Sequence, residues 1–285
     1  MRRVVLATLL VVPTVTIAAP ADDVTELLEA LPARDTDGAN PAFSFTNDNP
    51  YWRGKDQFAN QPNFMAMGVD IKKLVVATSA DGKTAWLAAD VKGVPQDGEC
   101  APGPCPPNRD PALHVSGVIE QTGKGWSWLA WHVAAPVTGK HQAAIVKQAV
   151  MPDAIPRAIT GAEGVVALFE TTILESRTLA GTVSDRKDVV LYGSESAERY
   201  VTGAKAKAQL TKWQLGFAVR DGVQAGLSAN KQVAWVAANV DARSLKRPKD
   251  KPLPYRVLFV YEKAGDAWKL VLLHFSVDTF TYQKP

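Results

Sequence analysis

Two of the four histidines in this 285-residue chain, His132 and His274, close closely similar Trp-rich segments. An imidazole titrates near neutral pH and can move a proton in catalysis. His274 lies two residues before Ser276, while Asp90 and Asn239 stand near the ends of the apolar runs Ala85–Val91 and Ala234–Val240. A proton-transfer site would use His274 with Ser276 or Asn239, and Asp90 is a further candidate. The plainer roles are a histidine bonding its strand neighbours and a solvated carboxylate at a strand end. Trp235, Trp213, Arg256 and His274 are the residues suited to line a ligand pocket, with rings for stacking and a guanidinium for an anion. Core packing is the ordinary use of such tryptophans, and packing against Glu262 or solvent is the ordinary fate of Arg256. Ser184-Asp-Arg-Lys187 and Ser228-Ala-Asn-Lys231 match a short Ser-x-x-Lys pattern but lack its companion motifs. The sequence has no phosphate-cradling glycine loop, metal-ligand cluster or nucleophile elbow.

These residues sit on segments that occur twice. Adding 142 carries Val115, Val118, Glu120, Gly123, Trp126 and His132 onto Val257, Val260, Glu262, Gly265, Trp268 and His274. Adding 149 carries Ser79–Val91 onto Ser228–Val240 with seven of thirteen residues identical. The change of offset places a longer loop in the first copy, where insertions are tolerated between strands. The terminal hairpin, Tyr255–Ser276, is apolar on both faces and reads as two interior antiparallel strands. Strict alternation puts Trp268, Leu270, Leu272, His274 and Ser276 on one face, and Val271, Leu273 and Phe275 on the other. It likewise sets Trp235, Ala237 and Asn239 against Ala234, Val236 and Ala238. The small residues leave room beside the tryptophan, as a pocket wall or a packing notch.

Along the chain, Asp23-Val-Thr-Glu26 reads as a capping box opening a short helix, and Ala42–Phe45 as a strand. A weak helix from Lys55 breaks at Pro62. Strands are expected at Leu74–Thr78 and Ala85–Val91 around Asp81-Gly82. Thr160-Gly-Ala-Glu163 reads as another capping box, Val189–Gly193 as a strand, and Ala206, Leu210, Trp213 and Phe217 as one helical face. Ala225–Ser228 and Val233–Val240 are further strands. The basic loop Arg243–Lys251 includes Pro248 and Asp250 and reads as a solvated hairpin tip.

A basic start, an apolar run from Val4 to Val15 and small residues at Thr16 and Ala18 form an export signal over residues 1–18. Its apolar core is shorter than the roughly 20 residues of a spanning helix. The formal charge of +3 falls to about +1 when Arg2 and Arg3 leave with the signal, which argues against nucleic acid as a partner. The expected location is periplasmic or extracellular, with no membrane contact after signal removal. Cys100 and Cys105, the two cysteines, then form one local disulfide in a Pro/Gly-rich loop.

Each half runs helix, strand, helix and then antiparallel strands. Val189-Val-Leu-Tyr-Gly193, Glu198-Arg-Tyr-Val-Thr-Gly203, Ala234-Trp-Val-Ala237 and Trp268–Ser276 resemble the SnoaL-like branch of the nuclear-transport-factor-2-like (NTF2-like) superfamily. The resemblance implies an α+β fold of two cone-shaped domains, residues 22–138 and 161–280, joined by a linker over residues 139–160. In each domain a curved antiparallel sheet packs on helices, the first being a degenerate copy. Two copies in one chain are expected to pair through their sheet faces, giving a monomer with an internal pseudo-dimer. The functional expectation is a non-catalytic protein, or one binding a small apolar molecule, without cofactor or metal. The alternatives are an isomerase, cyclase or dehydratase using His274, with Asp90 as a general base by analogy with the isomerase members, and a protein–protein association module. Fold analogy alone does not choose among them.

Overall fold

The computed structural model describes residues 21–33, 43–45, 67–95, 113–123, 125–134, 136–137, 149–150 and 154–279. The signal segment, the helix read from Lys55 and the Cys100–Cys105 loop lie outside the described residues.

Helix α1 (Ala21–Ala33) precedes strands β1 (Phe43–Phe45), β2 (Met67–Thr78), β3 (Thr84–Pro95), β4 (Leu113–Thr122) and β5 (Gly125–Ala134). Two short strands follow, β6 (Ala149–Val150) and β7 (Ala158–Thr160). Then come α2 (Glu163–Thr172), α3 (Ser176–Thr182), β8 (Val190–Tyr192), β9 (Arg199–Val201) and α4 (Gly203–Trp213). The chain continues through β10 (Leu215–Leu227), β11 (Val233–Ser244), β12 (Leu253–Ala264), β13 (Ala267–Ser276) and β14 (Asp278–Thr279). The fold is α+β.

Several local expectations change. Glu163 opens α2 with Ala162 at the cap and no side-chain cap bond, because Thr160 is drawn into β7. Asp23 lies inside the first turn of α1 rather than capping it. Phe217 belongs to β10, since α4 stops at Trp213 and Gln214 turns left-handed at φ 51°. The segment read as a linker contributes β6, paired with β14, and β7, paired in parallel with β10.

A five-stranded sheet has the order β1-β5-β4-β3-β2, and a seven-stranded one the order β7-β10-β11-β12-β13-β8-β9. The path β1-β5-β4-β3-β2 has the same strand directions as β8-β13-β12-β11-β10: a parallel pair, then three antiparallel ones. Corresponding turns are closed alike, with Ser79 Oγ accepting from Thr84 N at 3.2 Å and Ser228 Oγ from Val233 N at 3.0 Å. Ser228 of the Ser-x-x-Lys pattern is thus a turn residue.

Alternation fails at two places in each sheet, the first between Lys72 and Val75 of β2 and between Val219 and Val223 of β10. The register shifts again between Val118 and Ile119 and, 142 residues on, between Val260 and Tyr261. Leu129 and Val271 are left unpaired opposite these steps, and a bulge re-aims every side chain beyond it. Trp268 and Leu270 therefore join Leu273 and Phe275 on the helix side, while Val271 and Leu272 face the other sheet. This corrects the single face expected for Trp268, Leu270, Leu272, His274 and Ser276.

Both faces of the second sheet are covered. On one, Val236, Ala238, Val257, Phe259, Leu273 and Phe275 pack on Val166 and Phe169 of α2, Leu179 of α3 and Leu210 of α4. On the other, Trp235, Ala237, Leu258, Val260 and Leu272 meet Trp86, Ala88, Val118 and Ala130 of the first sheet. Burying each large apolar side chain contributes about 1.5–3 kcal/mol, so two covered faces account for the apolar runs read in the sequence.

Candidate functional site

The polar residues singled out in the sequence meet between the sheets. On β11, β12 and β13 the side chains of Asn239, Arg256, His274 and Ser276 alternate with those of the helix-side core. From the first half, Asp90 on β3, His114 and Ser116 on β4, and His132 on β5 face them.

At its centre the His132 and His274 rings stack with centroids 3.9 Å apart and planes 19° apart. His274 Nδ1 is hydrogen-bonded to Ser116 Oγ at 2.7 Å, and His132 Nε2 to Ser276 Oγ at 2.8 Å. Each histidine thus binds a hydroxyl from the opposite half. His274 Nε2 is buried without a hydrogen-bond partner. His132 and His274 are each 0% exposed, and Ser116 and Ser276 no more than 2%. Burial holds both imidazoles well below their usual pKa; for His132 the Arg256 charge adds to this, and for His274 the neighbouring His132 does. The pair is neutral at pH 7.

A second layer reaches the edge. Tyr192 on β8 stacks on His114 at 4.3 Å and donates its hydroxyl to Asp90 Oδ1 at 2.8 Å. Lys73 Nζ binds Asp90 Oδ2 at 2.8 Å, and Arg199 Nε donates to the Tyr192 hydroxyl at 3.3 Å. Burial pushes His114 down to about 4 despite the favourable Asp90 charge, and pushes the Tyr192 hydroxyl up. Asp90 is therefore not solvated; it accepts from a lysine and a tyrosine.

The remaining candidates separate. Trp235 lies in the inter-sheet core over Gly226, where an added Cβ would come 2.8 Å from its Nε1. The room beside this tryptophan is a packing notch. Asn239 Nδ2 donates to Asp221 Oδ2 at 3.0 Å. Arg256 is 1% exposed on the inter-sheet face, and Glu262 is taken instead by Arg186, at 3.1 Å. Trp213 is on the other side of the sheet, edge-on to Phe275 at 5.2 Å.

The helix side is an aromatic core. Phe259 meets Phe169 at 5.6 Å and Phe275 at 5.2 Å, and Phe217 meets Phe275 at 5.5 Å. The Tyr261 hydroxyl is buried there without a partner, its pKa raised by that burial. Among the described residues, no group of three or more His, Cys, Asp or Glu is arranged to hold a metal ion.

Sequence reasoning missed His114, Ser116, Tyr192 and Tyr261 as members of these cores. His114 and Ser116 alternate with Val118 on one strand face, which is the signal that finds them. Tyr192 needs the parallel β8–β13 pairing, and no local pattern announces that.

Serine, histidine and carboxylate thus stand close together, but in a closed interface. The two histidine–hydroxyl pairs belong to different rings, and neither hydroxyl opens to solvent. This arrangement pairs polar groups across a packed face.

No family model and no curated protein match the chain. Solved structures do. One described as a calcium/calmodulin-dependent protein kinase II association domain, from Xanthomonas campestris, is 20% identical; the match covers 45% of this chain and 97% of that one, with a TM-score of 0.36. Another, described as a ketosteroid isomerase, from Parabacteroides distasonis, is 16% identical, covering 45% and 91%, with a TM-score of 0.33. An NTF2-like protein of unknown function from Pseudomonas putida is 11% identical, covering 52% and 100%, with a TM-score of 0.33. Two of the solved structures that this chain is similar to, from Shewanella oneidensis and Pseudomonas putida, are described as NTF2-like.

Proposed function

We propose that this chain is a non-catalytic, exported pair of SnoaL-like units that use their sheet faces to hold each other as an intramolecular pseudo-dimer. One observation carries the reading: the histidine, serine, aspartate, asparagine and arginine candidates lie on the face between the sheets, each no more than 6% exposed. Corresponding residues also meet one another. His132 stacks on His274, and Asn230 Nδ2 donates to Asp81 Oδ2 at 2.7 Å, the first pair being 142 and the second 149 residues apart. Two such self-meetings are what a pseudo-twofold axis produces. An Asp–Asn pair supplies the donor that two aspartates would lack.

Light scattering after size exclusion tests the reading. It expects one compact species with the mass of a single chain, whose N-terminus in the exported fraction is Ala19. A dimer at micromolar concentration, or halves tumbling independently, would refute the internal pairing. A second reading, binding of a small, mainly apolar molecule that carries one hydrogen-bonding group, rests on the Tyr261 hydroxyl, which has no partner inside the aromatic core. Native mass spectrometry of the purified chain decides it: a retained small molecule, lost in Tyr261→Phe, supports binding, and a bare chain opposes it.

A further inference from the structure

The inter-sheet cluster buries His114, His132 and His274 between the two halves. Two neutral imidazoles are stacked at 3.9 Å, closed to solvent, and each is bonded to a serine of the other half. A proton on either ring would stand against the other ring in a low-dielectric space, which is far costlier than in water. The groups around the pair do little to offset it. From β12 comes the Arg256 guanidinium, and from β4 His114, both of which disfavour a further positive charge. Ser116 and Ser276 are uncharged. The nearby carboxylate, Asp90 on β3, is bonded to Lys73 of β2 and Tyr192 of β8, with Arg199 of β9 4.0 Å from it. The opposite face of the second sheet has its own core against α2, α3 and α4, and none of His114, His132 and His274 is part of it.

We propose that the contact is an acid-operated clamp: protonation of His132 and His274 drives the first sheet off the second, while the second half keeps its helix-side core. The protons come from solvent and are held by the separated, hydrated rings. Each imidazole that is neutral when closed and charged when open raises the opening constant tenfold per pH unit below about 6.5. The stacked pair gives about a hundredfold per unit, and His114, released with them, brings this towards a thousandfold.

Adjacent residues of β11 separate local opening from unfolding. Ala237 faces the first sheet and Ala238 the helices, and both are 0% exposed. Thiol labelling of Ala237→Cys and Ala238→Cys is followed from pH 7.5 to 5, located by peptide mass and normalised to a free thiol at each pH. Labelling of Ala237→Cys is expected to rise at least about a hundredfold per pH unit between pH 6 and 5, with Ala238→Cys still protected. Both sites rising together means whole-chain unfolding and overturns the clamp, as does protection of both down to pH 5. Adding His132→Gln and His274→Gln to Ala237→Cys should reduce the dependence to about tenfold per unit, that of His114; an unchanged slope also overturns it. The comparison of the two introduced cysteines decides the matter even if the histidine variant does not fold.

Discussion

The two faces of the second sheet solve the same problem differently. The helix side is closed with phenyl rings and aliphatic groups, with Tyr261 contributing one unpaired hydroxyl. The inter-sheet side interleaves Trp235, Leu258 and Leu272 with Asn239, Arg256, His274 and Ser276. An apolar face needs only to be covered, whereas a buried polar group must find its partner in a fixed place. The first face tolerates many packings; the second specifies one register between the halves.

The largest consequence is a different response to acid. His114, His132 and His274 have lowered pKa values in the folded chain, so the unfolded chain binds more protons between those values and about 6.5. Their contribution is complete above about pH 6.5 and is lost as pH falls, at about 1.4 kcal/mol per pH unit for each ring, or about 4 kcal/mol for three. Glu198, raised by burial, works the other way only near its own range around pH 4.5 and above. Urea midpoints between pH 7.5 and 5 measure this, and a flat profile would remove the neutral histidine cluster from the account.

Core truncation sharpens the contrast. Phe259→Ala on the helix side and Trp235→Ala on the other face should each cost about 3–5 kcal/mol in denaturant unfolding. Because they pack on opposite faces, their double variant should be additive within about 0.5 kcal/mol. Phe259→Ala with Phe275→Ala, whose rings are 5.2 Å apart, should depart from additivity by about 0.5–3 kcal/mol. Coupling of Phe259 with Trp235 as strong as with Phe275 would erase the two-face distinction.

Single polar deletions come next. Ser116→Ala and Ser276→Ala each strand one buried imidazole nitrogen and should cost about 1–3 kcal/mol. A neutral result for both would show that the cross-half bonds do not form. Asn230→Asp sets a carboxylate against Asp81 at the exposed turn and should cost no more than about 1 kcal/mol, less in high salt.

Most strands and the helix at Ala206–Trp213 were legible because apolar residues recur with clear periods, and the central-strand faces followed from simple alternation. The faces of the terminal hairpin did not follow, because a bulge at Val271 leaves no mark on composition. Alpha helix α3 went unread: Ser176–Thr182 is too short to show a period. His274, Ser276, Asn239 and Asp90 were found by residue type, but their common destination depends on contacts up to 158 residues apart, such as Ser116 with His274. Sequence pattern reports which residues share a strand face; which face meets the other sheet is a tertiary fact.

The central claim is that the halves meet through a stacked, neutral histidine pair. In protein carrying isotope-labelled histidine, the nuclear Overhauser spectrum should show cross-peaks between the ring protons of His132 and His274, assigned by single His→Gln variants. Both rings should keep neutral-form shifts from pH 7.5 down to the onset of opening. Two rings with no cross-peak, each titrating near 6.5 in the folded chain, would contradict it.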